Sequence, residues 1–213
     1  KDIKRKNLGR EKVLATVISL MERTYIRVGN YNYEKENKTY GLTTLKDNHV
    51  TIDNEKLHFS FKGKKGVPHT ITLKNKKLAR IVKECRDIPG RELFQYYDET
   101  GTARSIDSGM VNDYIREATG DNFTAKDFRT WAGCVTALEV IRTLETPEVS
   151  KSRKNCIPGI LDQVSSRLGN TRSVCKKYYV HPEILRLYEE EKLDHYLKEV
   201  DQKENSGCSS PYT

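Results

Sequence analysis

Three short runs of alternating apolar and polar residues are the feature that most constrains the fold. The runs cover residues 49–53, 57–61 and 69–73. A period of two residues indicates strands with one buried face. The last two runs are joined by Lys62-Gly-Lys-Lys-Gly66, whose bounding glycines predict a hairpin tip that carries three lysines. We therefore expect a small three-stranded antiparallel sheet.

The segments around these strands have the apolar spacing of amphipathic helices. We predict helices over residues 11–23, 76–85, 107–119, 124–144 and 160–167, a short helix within residues 168–181 and a final helix over 182–198. The predicted fold class is mainly α (α+β), a helical domain with one small three-stranded antiparallel sheet. We assign residues 1–200 to this domain and residues 201–213 to a polar tail that stays disordered.

Charge is unevenly distributed along the chain. The 213 residues carry a formal net charge of +8, and residues 189–213 contain seven acidic and three basic side chains, so the residues before them carry +12. A positively charged body suits a polyanion such as nucleic acid. Many other proteins are also basic, so composition favours DNA or RNA as a partner only modestly.

The cysteines and histidines indicate neither a disulfide framework nor a metal site. The five cysteines are odd in number, widely spaced and without a Cys-x-x-Cys pair: Cys85, Cys134, Cys156, Cys175 and Cys208. They are typical of reduced thiols in an intracellular protein. The sequence has no His-Glu-x-x-His motif, no phosphate-binding glycine loop, no visible signal sequence and no apolar run long enough to span a bilayer. We therefore expect chemistry performed by side chains, without a cofactor or metal and away from membranes.

The stretch from Leu168 to His181 places two adjacent tyrosines beside three cations, Arg172, Lys176 and Lys177. A phenol titrates near pH 10, so it is a poor nucleophile unless fixed positive charge surrounds it. In that setting a tyrosine can attack a phosphodiester. Taken alone, the stretch favours a simpler interpretation, a helix with core tyrosines and a solvated basic face.

Cleavage of a phosphodiester by tyrosine without metal needs a defined set of side chains. Two arginines answer the charge on the non-bridging oxygens, a lysine protonates the leaving oxygen, and an amide or imidazole holds a further oxygen. The chain contains such a set in order: Arg27, a lysine of the hairpin, Arg129, Asn170 and a final tyrosine.

At these positions the sequence resembles the catalytic domain of the type IB DNA topoisomerases, in their poxvirus-like and bacterial branch. The resemblance covers about Leu8 to Lys198. Its blocks are Tyr25-Ile-Arg-Val-Gly29, Tyr40-Gly-Leu-Thr-Thr-Leu45, Phe61-Lys-Gly-Lys64, Ala125-Lys-Asp-Phe-Arg-Thr130, Leu168-Gly-Asn-Thr171 and Tyr179-Val-His-Pro182. It implies the DNA breaking-rejoining fold of the tyrosine recombinase and topoisomerase IB superfamily. Family members also carry a β-rich N-terminal domain that completes a clamp around duplex DNA, and we expect that domain to be absent here.

The resemblance assigns a role to each residue of the set. Arg27 and Arg129 are implied to grip the scissile phosphate, and Lys64 to protonate the leaving 5′ oxygen. Asn170 stands where poxvirus members have histidine and bacterial members asparagine, so it is implied to donate a hydrogen bond and to have no acid-base role. Tyr179 is the implied nucleophile, since it precedes Val-His-Pro as in the family pattern.

Four further residues are expected to contact DNA. Tyr33 and Lys46 belong to a segment that mixes aromatics, bases and amides, which equally fits a polar surface loop. Lys65 stands where poxvirus members are acidic, and we expect it to contact the DNA backbone. Lys126 is implied to assist the proton transfer.

The implied function is relaxation of supercoiled duplex DNA through a 3′-phosphotyrosyl intermediate, by an intracellular, DNA-associated monomer (bacterial or viral) that clamps DNA together with its N-terminal domain. Two alternatives stay open. The first is a tyrosine recombinase, although recombinases typically have histidine at the Lys126 position. The second is a non-catalytic basic module that binds DNA by charge.

Overall fold

A computed structural model describes residues 1–144 and 153–205 of the chain. The chain forms two compact units, residues 1–128 and residues 129–213, and the boundary falls between Phe128 and Arg129, inside one helix. In the described ranges, no helix has the length and apolar character needed to cross a membrane.

The first unit is built around its first helix. Its helices are α1 (Arg10–Thr24), α2 (Tyr31–Asn37), α3 (Lys76–Arg86), α4 (Ser108–Thr119) and the start of α5 (Ala125–Thr143). Val13, Leu14, Val17 and Leu20 of α1 are fully buried, because their spacing of three and four residues places them on one helical face. Side chains from α3, α4 and the sheet complete this core.

The predicted three-stranded sheet is present. Its strands are β1 (Val50–Asp53), β2 (Lys56–Lys62) and β3 (Pro68–Lys74), in the antiparallel order β1-β2-β3. Along β2 the apolar residues Leu57, Phe59 and Phe61 are buried and the intervening residues are less so, as the alternation predicted. The register pairs Lys62 with Pro68, which places Gly63–Val67 at the hairpin tip.

Two elements of the first unit were not predicted. The polar segment around Tyr33 forms α2, which lacks an apolar stripe. Its start is capped by Asn30, whose side chain accepts a hydrogen bond from the Asn32 amide at 2.9 Å. A second, two-stranded sheet pairs β4 (Gln95–Tyr97) with β5 (Ala103–Ser105). Strands of three residues are too short for alternation to be recognised.

The second unit contains the rest of α5, α6 (Ile157–Leu168), α7 (Arg172–Tyr178), α8 (Pro182–Glu189) and α9 (Leu193–Asn205). The single final helix that we predicted over residues 182–198 is two helices, with Glu191 in the left-handed conformation (φ 59°) between them. The first residues of the predicted tail continue α9 as far as Asn205. The remainder of that tail, residues 206–213, lies outside the described residues.

Candidate active site

Arg27 lies in a loop that a close backbone crossing holds in place. The carbonyl of Arg27 accepts a hydrogen bond from the Leu42 amide at 2.9 Å. Gly29 (φ +98°) packs against Gly41, where an added Cβ would lie only 2.5 Å from the Gly29 backbone. The two glycines therefore permit the Tyr25–Gly29 and Tyr40–Leu45 blocks to cross, and the crossing fixes the main chain from which the half-buried Arg27 side chain extends.

Lys64 is exposed at the tip of the β2–β3 hairpin. The tip is closed by a hydrogen bond from the Gly63 amide to the Val67 carbonyl at 2.8 Å. Gly63 packs on the His69 ring, which would lie 2.4 Å from an added Cβ, and Gly66 has a φ of +77°. The backbone of the tip is thus well defined, while the lysine side chain extends from it toward solvent.

Tyr33, on α2, is brought to Lys64. The ammonium nitrogen of Lys64 lies 5.4 Å from the centroid of the Tyr33 ring, within the range of a cation–π contact. Tyr33 remains 51% exposed, so its other face is available to a ligand.

Lys46 is placed differently, within a group of carboxylates. Its ammonium lies 2.8 Å from the buried Glu34 carboxylate and 3.0 Å from Glu92. Burial alone would raise the pKa of Glu92, but the hydrogen bonds of Lys46 and Ser105 and the charges of Lys46 and Arg91 together outweigh it, so the net shift is downward. Lys46 thus forms ion pairs with two carboxylates, and its contact with DNA stays a prediction.

Lys65 and Lys126 are both exposed. Lys65 adopts the left-handed conformation (φ 61°) beside Lys64 at the hairpin tip. Lys126 is the second residue of α5, after Thr124, whose hydroxyl donates to the Asp127 carboxylate at 2.7 Å and begins the helix as predicted. The structure does not test the DNA-binding roles of these two lysines, which stay predictions.

In the second unit, the candidate site includes the C-terminus of α6. Gly169 takes the left-handed conformation (φ 57°) and Asn170 donates its backbone amide to the Ser165 carbonyl at 3.0 Å, which ends the helix. The Leu168 carbonyl instead accepts from the Asn170 side-chain amide at 3.4 Å. The turn thereby fixes the orientation of the Asn170 side chain.

Arg129 binds the same carbonyl. Its Nη2 atom donates to the Leu168 carbonyl oxygen at 2.8 Å, and the residue is only 3% exposed. The carbonyl end of a helix carries partial negative charge, which stabilises a guanidinium placed there. The carbonyl therefore brings Arg129 and Asn170 together, although they are 41 residues apart in the sequence.

Tyr179 completes this cluster. Its ring centroid lies 5.1 Å from Cζ of Arg129. Tyr179 follows α7 directly, and Thr171, whose hydroxyl accepts from the Val174 amide at 3.4 Å, caps the start of that helix. The neighbouring Tyr178 is 50% exposed and its ring lies against Lys177, at 5.3 Å.

The structure also assigns a separate partner to one cation of the predicted stretch. Arg172 pairs with Asp162 of α6, with distances of 2.7 Å and 2.5 Å between the guanidinium and the carboxylate. This carboxylate raises the pKa of Arg172, and the pair ties α7 to α6.

Two residues that the sequence analysis did not assign to the site also touch Tyr179. They are Gly133, on α5 one turn after Arg129, and Cys134. The available signal was Gly133 itself, since a glycine inside a helical pattern often has a packing reason.

Over residues 1–144 and 153–205, no group of three or more His, Cys, Asp or Glu side chains is arranged to hold a metal ion. Positive charge that could bind a phosphate comes from the side chains of Arg27, Lys64 and Arg129. The arrangement suits attack by a phenol on an anionic ester, because a guanidinium lies over the ring and an amide donor shares the Leu168 carbonyl with that guanidinium.

A family model and several known proteins match most of the chain. The model of the family described as eukaryotic DNA topoisomerase I, catalytic core, matches residues 1–206. DNA topoisomerase 1B of Acanthamoeba polyphaga mimivirus is 30% identical over 188 residues, which are 85% of this chain and 56% of that protein. DNA topoisomerase 1B of Vaccinia virus (strain Copenhagen) is 26% identical over 189 residues, 88% of this chain and 57% of that protein.

The chain thus spans about half the length of the curated relatives it matches. Among solved structures, XerH site-specific recombinase bound to its difH substrate aligns with a TM-score of 0.42 and 16% identity, over 83% of this chain and 51% of that chain. With well over half of its residues matched by the family model, the chain belongs to the DNA topoisomerase I catalytic-core family, and its viral relatives are type IB enzymes.

Proposed function

We propose that the chain relaxes supercoiled duplex DNA by transient cleavage of one strand. The Tyr179 hydroxyl attacks a phosphodiester, a 3′-phosphotyrosyl ester forms, and the 5′ oxygen leaves as a free hydroxyl. While the ester persists, the free 5′ end rotates and releases supercoils. The 5′ hydroxyl then attacks the phosphotyrosyl ester, which reseals the strand and releases Tyr179. The ester conserves the energy of the broken bond, so the reaction needs no ATP.

The remaining residues of the set stabilise the transition state. Arg27 and Arg129 hold the non-bridging oxygens, where negative charge accumulates, and Asn170 donates a neutral hydrogen bond. Lys64 transfers a proton to the leaving 5′ oxygen, assisted by Lys126. Guanidinium and ammonium groups supply the positive charge, so no metal ion is required.

One observation carries the proposal. In a chain of this family, the buried Arg129 guanidinium contacts the Tyr179 ring and shares the Leu168 carbonyl with the Asn170 amide. This is the arrangement that a phenol needs in order to attack an anion. The contact of Arg129 with its ring favours Tyr179 as the nucleophile.

The test is incubation of supercoiled plasmid with the protein in EDTA, without ATP. We expect relaxed topoisomers and, after denaturation, DNA covalently attached to protein. Tyr179→Phe should abolish both results, because it removes only the attacking oxygen. Tyr178→Phe is the matched control, since it removes the same atom from the adjacent ring, and it should retain both.

The two alternatives predict different results. A recombinase would join strands between defined sites, whereas relaxation should occur without any strand exchange between plasmids. A non-catalytic module would bind DNA equally well with tyrosine or phenylalanine at position 179 and would form no covalent adduct. The absence of an adduct with the unmodified chain would therefore overturn the proposal.

A further inference from the structure

The backbone of Tyr179 lies directly on α5. An ideal Cβ added at Gly133 would lie 2.4 Å from the Tyr179 carbonyl oxygen, 2.9 Å from its carbonyl carbon and 3.0 Å from its Cβ. These are backbone or near-backbone atoms, which cannot rotate away as the end of a long side chain can. Any larger residue at position 133 therefore has to displace the Tyr179 main chain.

Cys134 holds the same connection by hydrogen bonds. Its thiol donates to the Tyr179 carbonyl oxygen, with Sγ at 3.5 Å, and accepts from the His181 amide at 3.3 Å. The connection of Tyr179, Val180 and His181 between α7 and α8 is thus attached to α5 on both sides of the buried Val180.

Helical periodicity links these contacts to Arg129. Residues four apart lie on the same face of a helix, so Arg129 and Gly133 occupy one face of α5. That face places the guanidinium against the Tyr179 ring and the glycine against its main chain. Glycine is a poor helix former compared with alanine, so its presence in the interior of α5 needs a reason, and the close approach provides one.

We propose that Gly133 and Cys134 are positioning residues, which set the distance and direction of the Tyr179 hydroxyl through its main chain and touch no substrate. The inference rests on the proposed function and adds two residues to its machinery. A displacement of about 1 Å can cost about 100-fold in rate, so we expect Gly133→Ala to slow covalent cleavage by about 10- to 100-fold.

The experiment compares single-turnover cleavage of a duplex oligonucleotide at saturating protein with DNA affinity, measured in a Tyr179→Phe background. Gly133→Ala should slow cleavage and leave the dissociation constant unchanged. Gly159→Ala is the matched control, because Gly159 is also in a helix of the second unit and an added Cβ there meets nothing within 4 Å. It should cleave at the normal rate. Normal cleavage by Gly133→Ala, or an equal loss of affinity and rate, would overturn the inference.

The cysteine gives a second pair of variants, which decides the matter if Gly133→Ala does not fold. Cys134→Ala removes both hydrogen bonds of the thiol and should slow cleavage about fivefold, which corresponds to about 1 kcal/mol for the two weak bonds together. Cys134→Ser keeps a donor and an acceptor and should restore most of the rate. Equal rates for Cys134→Ala and the unmodified chain would count against the proposal.

A readout without DNA separates this inference from the proposed function. In protein labelled with 3-fluorotyrosine, the Tyr179 resonance is assigned by its loss in Tyr179→Phe. Gly133→Ala should shift that resonance and Gly159→Ala should not. If the unmodified chain forms no covalent adduct, the proposed function fails, and the resonance still decides whether Gly133 positions the tyrosine: an unshifted resonance would reject it.

Discussion

The two units hold their candidate catalytic residues in different ways. In the second unit, Arg129 is 3% exposed and is bound to a helix carbonyl and to the Tyr179 ring. In the first unit, Lys64 is exposed at a hairpin tip, and its described side-chain contact is with the half-exposed Tyr33. A cation–π contact at an exposed site contributes only about 0.5–1 kcal/mol.

The difference indicates a division of labour. The proposed nucleophile, Tyr179, and the Arg129 guanidinium are held together by contacts within the protein, so we expect transition-state stabilisation there to need little rearrangement. Lys64, the proposed proton donor, has a backbone fixed by the hairpin tip and an exposed head group. We expect DNA to complete its placement.

The largest expected effects come from two single substitutions, each of which removes one candidate catalytic cation, Arg129 in the second unit or Lys64 in the first. Arg129→Ala should slow cleavage about 100- to 1000-fold and lower the free energy of unfolding by about 2 kcal/mol, because it also leaves the buried Leu168 carbonyl without its guanidinium partner. Lys64→Ala should slow cleavage by about 100-fold or more, yet alter the free energy of unfolding by less than about 0.5 kcal/mol. Cleavage assays and urea unfolding measure the two quantities.

A substrate with sulfur in place of the leaving 5′ oxygen sharpens this test. A thiolate leaves without being protonated, so the sulfur substrate should restore cleavage by Lys64→Ala and not by Arg129→Ala. Equal rescue of both variants would show that the two units do not differ in this way.

The next effect concerns the stability of the first unit. Lys46→Met should lower the free energy of unfolding by about 3 kcal/mol, because it leaves the buried Glu34 carboxylate with the exposed Arg91 as its described cationic partner, at 3.3 Å. Lys76→Met is the control, since its pair with Glu55 spans 3.8 Å and its side chain is 85% exposed, so about 0.5 kcal/mol or less is expected. Urea unfolding decides between them. Equal losses of unfolding free energy in the two variants would mean that the Lys46–Glu34 pair stabilises the protein no more than an exposed ion pair does.

A smaller effect should depend on pH. Burial, followed by the charge of Lys46, lowers the pKa of His49 from its usual 6.5, and the Nδ1 atom of His49 accepts from the Lys46 amide at 3.1 Å. The unfolded chain therefore binds the proton more tightly. The stability that the neutral His49 side chain contributes is fully present above about pH 6.5. It is lost as the pH falls through the folded-state pKa of His49.

The test is the free energy of unfolding of the unmodified chain and of His49→Asn at about pH 5 and pH 7.5. Asparagine retains an acceptor near the position of Nδ1 but does not titrate, so the rise in stability with pH should be smaller in the variant. An unchanged slope would assign the pH dependence to other groups.

The smallest effect tests the Lys64–Tyr33 contact. Tyr33→Leu should slow cleavage about two- to fivefold, which corresponds to the loss of one exposed cation–π contact. Tyr33→Phe keeps the ring and should stay near the normal rate. If both variants lose the same activity, the tyrosine hydroxyl and not the ring is the important group.

Much of the fold could be predicted because it follows from local pattern. The alternation in β2 and the apolar spacing in α1 each specify one buried face, and the structure confirms both. The segment around Tyr33 and strand β4 could not be predicted in the same way. The first is a helix without an apolar stripe, and the second is a strand too short to show a period.

The sequence alone determined the family of this protein and the types of residue available for its chemistry: permanent cations, one amide and a tyrosine at recognisable spacings. Only the tertiary structure decided which groups meet. The Leu168 carbonyl brings Arg129 and Asn170 together, and Gly133 lies under the main chain of Tyr179. It also decided that Lys46 faces two carboxylates. The physical reason is that period and propensity act over a few neighbouring residues, whereas these contacts join residues that are far apart in the sequence and depend on how whole helices pack.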